Sequence, residues 1–125
     1  MLKTVNFVLP VSDIDAIATF YTTYLGMEKR VFGEGRVALH FGDQKINLHP
    51  AGWDYEPKAR VSMAGTGDLC FIVSEPVETL QKQLVQRGVE IIEGPVLRTG
   101  ATGHLRSIYI RDPDGNLIEL SNSVE

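Results

Sequence analysis

A chain of 125 residues has the length of one domain, and a domain of this size buries roughly two-thirds of the surface its unfolded chain exposes. Twelve Lys and Arg against sixteen Asp and Glu give a net charge of −4, which leaves no basic stripe for nucleic acid and no attraction to an anionic membrane. No apolar run approaches the ~20 residues of a membrane span, the chain runs directly into a strand without a signal-like segment, and the lone Cys70 excludes an internal disulfide; a cytoplasmic location is expected.

Residues 3 to 11 alternate, with Val5, Phe7, Leu9 and Val11 on one face, the period of a half-buried strand. Ser12 and Asp15 resemble a capping box, and Ile14, Ile17, Ala18, Tyr21 and Leu25 recur at helical spacing until Gly26 offers a left-handed stop. Three strands follow, at about 27 to 32, 36 to 41 and 45 to 49, separated by glycine turns. A strand over 68 to 73 leads to a helix from Pro76 to Arg87 with Val77, Leu80 and Leu84 on one face and Gly88 as its stop. Strands near 89 to 93, 106 to 111 and 116 to 121 complete the chain, the last two joined by the turn sequence Asp112-Pro113-Asp114-Gly115.

The second half repeats the first. Asn6 and Asp68, Ser12 and Ser74, and Gly26 and Gly88 are all 62 residues apart, so a βαβββ unit is duplicated. Between Asn47 and its counterpart Glu119 the spacing grows to 72, which places an insertion around Arg98 to His104, read either as a mobile lid gripping an anionic substrate or as a long glycine-rich hairpin. One domain is expected over 1–125, with a first module at about 1–50, a linker at about 51–66 and a second module at about 67–125.

Strand parity assigns two faces. Val5, Phe7 and Leu9, Val37, Leu39 and Phe41, Ile46 and Leu48, Leu69, Phe71 and Val73, Ile108 and Ile110, and Ile118 and Leu120 form an apolar face fit for a core under a helix. The opposite parity collects Asn6, Val8, Ala38, His40, Asn47, His49, Asp68, Cys70, Tyr109, Arg111, Glu119 and Ser121. These small, titratable or amide residues suit a concave ligand face better than the long Lys, Glu and Thr side chains of a wet sheet.

The duplicated unit, the helix end FYTTYLGM and above all the closing IYIRDPDGNLIEL resemble the vicinal oxygen chelate superfamily of glyoxalases, bleomycin-resistance proteins and extradiol dioxygenases, over essentially the whole chain. The stretches FGDQKINLH, EPKA, DLCFI and GPVLRTGATG are most similar to small glyoxalase-domain, dioxygenase-related members. The resemblance implies an α+β fold in which two βαβββ modules form a cup-shaped mixed sheet with helices on the outer face. It also implies a divalent metal held by the first and last strands of both modules, and a homodimer, the commonest closed assembly. Carried onto this chain, the metal positions fall on Asn6, Asn47 (with His49 two residues on), Asp68 and Glu119; only Glu119 is the family's usual ligand type.

His49, Asp68 and Glu119 would supply one imidazole and two carboxylates to a divalent ion such as Mn, Zn, Ni or Fe. Asp68 would equally serve as a turn cap, and Asn6, an amide in a strand, would hydrogen-bond within the site. His40 is a candidate general base beside a catalytic Glu119, or fills a gap on the sheet. Asn6, Asn47, Arg98, Tyr109 and Arg111 are candidate substrate contacts. Trp53 and Tyr55 would line the site or pin the linker, His104 would swing over the site or face water, and Cys70 carries no mark of an activated thiol. No dinucleotide, Walker or GxSxG pattern occurs. Two functions remain: an enzyme that uses, or descends from one that used, a metal to polarise vicinal oxygens of a small substrate, and a metal-free small-molecule sequestering protein of the bleomycin-resistance type.

Overall fold

The computed structural model describes residues 1–53 and 56–124. Tyr55, one of the two linker aromatics, lies outside them. The elements run β1 (Asn6–Val11), α1 (Ile14–Leu25), β2 (Glu28–Phe32), β3 (Arg36–Phe41) and β4 (Gln44–Pro50), then β5 (Asp68–Ile72), α2 (Val77–Gln86), β6 (Glu93–Gly100), β7 (Gly103–Arg111) and β8 (Leu117–Val124). This is two βαβββ modules in an α+β fold. Each module forms a mixed four-stranded sheet, ordered β1-β4-β3-β2 and β5-β8-β7-β6, in which the first and last strands of the module run parallel and the other pairs antiparallel.

The chain divides into two compact units, one of residues Met1–Gly67 with Pro113–Gly115, the other of Asp68–Asp112 with the residues from Asn116 onward. In the first unit α1 packs across β2, β3 and β4. Its Ile17, Ala18 and Tyr21 are buried with Leu9, Val11, Val37, Leu39, Ile46 and Leu48. The apolar parity therefore holds, except at Val5, which precedes β1 and is 49% exposed. Gly26 ends α1 at φ +69, as its lack of a Cβ permits. The helix starts differently from expectation: Asp13, not Ser12, is the N-cap, accepting from the Ala16 amide at 3.0 Å. Ser12 instead directs its amide and hydroxyl to the Asp114 carboxylate of the 113–115 segment. A partner distant in sequence has captured the hydroxyl that a local capping box would have used.

In the second unit α2 packs on β7 and β8, burying Val77 and Leu84 with Ile108, Ile110, Ile118 and Leu120. The N-cap position holds Pro76, which offers no side-chain acceptor. Asn122 of β8 takes over, accepting from the Val77 amide at 2.8 Å and donating to the Val73 and Glu75 carbonyls at 3.1 and 2.8 Å.

The strand expected at 89 to 93 is displaced. It starts at Glu93 and runs to Gly100, and the segment read as insertion or lid is the tip of the β6–β7 hairpin, with Gly100 opposite Gly103 and His104 exposed at the start of β7. Most of the extra residues lengthen two paired strands, β6 and β7 having 8 and 9 residues against 5 and 6 in β2 and β3, so their backbone groups are satisfied in the ladder. At the bulge between Glu93 and Val96, Gly94 has φ +104 and lies so close to the Ser107 carbonyl that a Cβ could not fit.

Candidate functional site

On the second sheet, Cys70 pairs with Glu119 and Glu119 with Tyr109, while Ser121 pairs with Ser107. Because these pairs share parity, their side chains stand on the face away from α2. Glu119 is the hub. Its Oε2 accepts from Ser107 at 2.7 Å and from Ser121 at 3.3 Å, and the two hydroxyls are 2.6 Å apart. Both serines are 0% exposed, whereas Glu119 is half-buried and accessible. Hydrogen bonds to a charged acceptor are worth about 1.5–3 kcal/mol each, so the serines fix the carboxylate's orientation from beneath.

Cys70 stands beside the same cluster, its thiol 3.6 Å from the Ser121 hydroxyl. Burial pushes that thiol up, Ser121 pulls it down, and the Glu119 charge adds to the rise. On the far side the Tyr109 hydroxyl accepts from Arg98 Nε at 3.0 Å, and Arg98 also bridges to Glu93 at 3.1 Å. Burial raises the phenol as well; Arg98's hydrogen bond opposes it and the Glu119 charge reinforces it. Thiol and phenol both keep their protons at neutral pH. The face thus sets the Glu119 carboxylate amid O–H and S–H donors, with the Arg98 guanidinium on the phenol and the Asp68 and Glu93 carboxylates exposed on the same face.

The first sheet's corresponding face has another character. Ala38 lies opposite Asn47 and His40 opposite Lys45. Arg36 donates to His49 Nε2 at 3.2 Å, which places the ring proton on Nδ1. Burial first, and the Arg36 charge second, hold the His49 imidazole below its ordinary value. An imidazole that folding keeps neutral withdraws stability as pH falls from ~6.5 toward the folded value, since only the unfolded chain gains the proton there. In an NMR titration His49 is expected to show a midpoint below 6.5, and Arg36→Gln should move it part of the way back. An unchanged midpoint in the variant would remove Arg36 as a cause.

The structure places the remaining expected residues as follows. Asn6 is exposed on β1, so the buried amide anticipated there is absent. The strained amide is Asn47, whose Oδ1 is buried without a hydrogen-bond partner. Asp68 is exposed at the start of β5, on the face of Cys70 and one alternate position from it. His40 stands on the first unit's face, close enough to act electrostatically on Glu28. Arg111 is exposed at the end of β7, and Trp53 is exposed. Among the described residues no three His, Cys, Asp or Glu side chains gather as a metal would require. The sequence reading missed Ser107 and Arg36. Ser107 was findable, because it shares the parity of Tyr109 and Arg111.

A family model described as the glyoxalase/bleomycin resistance protein/dioxygenase superfamily matches residues 3–120. The glyoxalase domain-containing protein RDO1 of Mycosarcoma maydis is 51% identical over 117 residues, covering 94% of this chain and 66% of its own length. The crystal structure of virulence protein STM3117 from Salmonella typhimurium shares 50% identity and superposes with a TM-score of 0.95 over 99% of this chain and 98% of that one. TnmS3, an antibiotic binding protein from a Streptomyces species, shares the fold alone, at 22% identity and a TM-score of 0.76 over 99% of this chain and 98% of that one.

Proposed function

This chain belongs to the glyoxalase/bleomycin resistance protein/dioxygenase superfamily, and within it we propose that the chain is a metal-independent small-molecule enzyme in which Glu119 acts as general base. The observation that carries this reading is the Glu119 carboxylate, oriented by two buried serines and accessible from the polar face of the second sheet. Of the residues at the family's metal positions Asp68 and Glu119 are carboxylates, but the other two argue against a divalent ion. A guanidinium 3.2 Å from His49 Nε2 occupies its lone pair and repels a cation, and Asn6 is an exposed amide.

The same face supports proton transfer. A base in a fixed orientation removes a proton from carbon beside a carbonyl, and a hydrogen-bond donor must meet the developing oxyanion. Tyr109 is that donor: its oxygen accepts from Arg98, which makes the phenol a stronger donor, and its proton, engaged by Glu119 in the free protein, turns to the ligand. The substrate class is a small molecule with an acidic C–H beside a carbonyl. That TnmS3 carries the name of an antibiotic binding protein favours, as the competing outcome, a site that binds without chemistry.

Two measurements test the reading. Calorimetric titration of chelator-treated protein with Mn, Zn, Ni and Fe(II) is expected to show no stoichiometric binding; tight binding lost in Glu119→Gln would overturn metal independence. Proton NMR of pooled 2-oxo acids, hydroxyketones and thioesters in D2O should show enzyme-dependent exchange at the α-carbon. Ligand binding by saturation transfer without exchange would replace the enzyme with a sequestering protein.

A further inference from the structure

In the second sheet β8 lies between β5 and β7, so Glu119 has Cys70 opposite it on one side and Tyr109 on the other. Both neighbours hydrogen-bond its carboxylate, and both keep their protons at neutral pH. The row therefore runs acid, base, acid, each group about one hydrogen-bond length from the next. Proton abstraction beside a carbonyl uses the carboxylate and the phenol. It leaves the thiol without a task.

Cys70 does not serve the core. It is exposed, on the parity opposite to Leu69 and Phe71, and as the chain's one cysteine it has no disulfide partner within the chain. Its other contact suits a group that gives up a proton. The Ser121 hydroxyl, 0% exposed and 3.6 Å from the thiol, lies a longer 3.3 Å from Glu119 and is free to turn its hydrogen to a thiolate, which is why it pulls the thiol down against the effect of burial. A substrate lying on Glu119 with its carbonyl oxygen at Tyr109 therefore extends, on the other side of the base, over a proton donor whose conjugate base has a hydrogen bond waiting.

We infer that Cys70 is a second catalytic acid and that the site eliminates water from β-hydroxy carbonyl compounds, with Tyr109 on the carbonyl oxygen, Glu119 on the α-hydrogen and Cys70 on the β-hydroxyl. The inference rests on the reading of Glu119 as a general base. The three groups follow one another in such a substrate in the order in which the three side chains stand across the sheet. Glu119 takes the α-proton, and the C–H electron pair passes into the enolate, whose oxygen Tyr109 meets. As the enolate collapses to a C=C bond the Cβ–O bond breaks, and the Cys70 proton goes to the departing oxygen. An α,β-unsaturated carbonyl compound and water leave. The protein then holds a carboxylic acid beside a thiolate, and the proton crosses their hydrogen bond, because a carboxylic acid is ordinarily the stronger acid of the two. Both side chains are restored without an oxidant, a reductant or a second substrate.

The test follows two compounds in D2O by proton NMR, the β-hydroxybutanoyl thioester of N-acetylcysteamine and β-hydroxyethyl methyl ketone. Deuterium entry at the α-carbon and the appearance of vinyl protons are read in the same samples. Wild type is expected to show both with at least one compound. Cys70→Ser should lower the ratio of vinyl product to α-deuteration by about a hundredfold, since serine keeps a hydroxyl in the row but is a far weaker acid. A thiol that served only the structure would leave that ratio unchanged in the variant, even if both rates fell, and this result would overturn the role of Cys70. α-Deuteration by wild type with no vinyl product from either compound would overturn the elimination and leave Glu119 standing as base. Neither signal from wild type would remove the reading of Glu119 and this inference with it.

Discussion

Glutamine at position 119 is expected to lower turnover by about 10²–10⁴-fold, the usual contribution of a positioned general base, while leaving the chain folded. The amide oxygen still accepts from Ser107 and Ser121, which are 2.7 and 3.3 Å from Oε2 in the wild type. Exchanging charge-assisted for neutral hydrogen bonds should cost about 1–2 kcal/mol of stability, visible as a lower urea midpoint in an otherwise two-state transition. Ser107→Ala separates orientation from chemistry. It keeps the carboxylate but removes its nearer support, so the rate should fall by about tenfold, with the substrate's KM moving less than kcat. Exchange at the wild-type rate in Glu119→Gln would refute the assignment.

The largest expected loss of stability from a single polar side chain is at Asn122. Asn122→Ala should cost about 2–3 kcal/mol, roughly one for a lost helix cap and the remainder for the groups left without partners. Val77 is fully buried, so its amide has no water to replace the lost acceptor. Asn122→Asp should not rescue the fold. One aspartate oxygen would still accept from Val77, but the other would face the Val73 and Glu75 carbonyls that the amide now serves as donor. Chemical denaturation of both variants checks this; an alanine variant within about 0.5 kcal/mol of wild type would mean that α2 caps itself.

The lost capping box at Ser12 and the cap of α2 share a cause. Ser12 lies one residue before the N-cap of α1 and Pro76 is the N-cap of α2, and neither caps its helix by its own side chain. The first donates to Asp114 and the second is replaced in function by Asn122, 102 and 45 residues away in the respective pairs. A local pattern can announce that a helix begins, but not which polar group will reach its first amides. The strand limits in the second module went astray similarly: glycines at 100 and 103 read as a loop, and became one paired end of a hairpin because cross-strand hydrogen bonds outweigh their weak strand preference.

The sequence by itself determined the duplication, the order of elements and the core-facing side of β1, β3, β4, β5, β7 and β8. Those features rest on residue spacing and on alternation, which a chain carries before it folds. Register bears the duplication out: Val8 and Ala38 flank Asn47 as Cys70 and Tyr109 flank Glu119. Only the tertiary structure decided which polar residues act together. It set Ser107 and Ser121 under Glu119, Arg98 behind Tyr109, and Arg36 on His49, and it left the orphan amide at Asn47 instead of Asn6. Hydrogen bonds and charge pairs act over a few ångströms between strands distant in sequence, so no spacing along the chain encodes them.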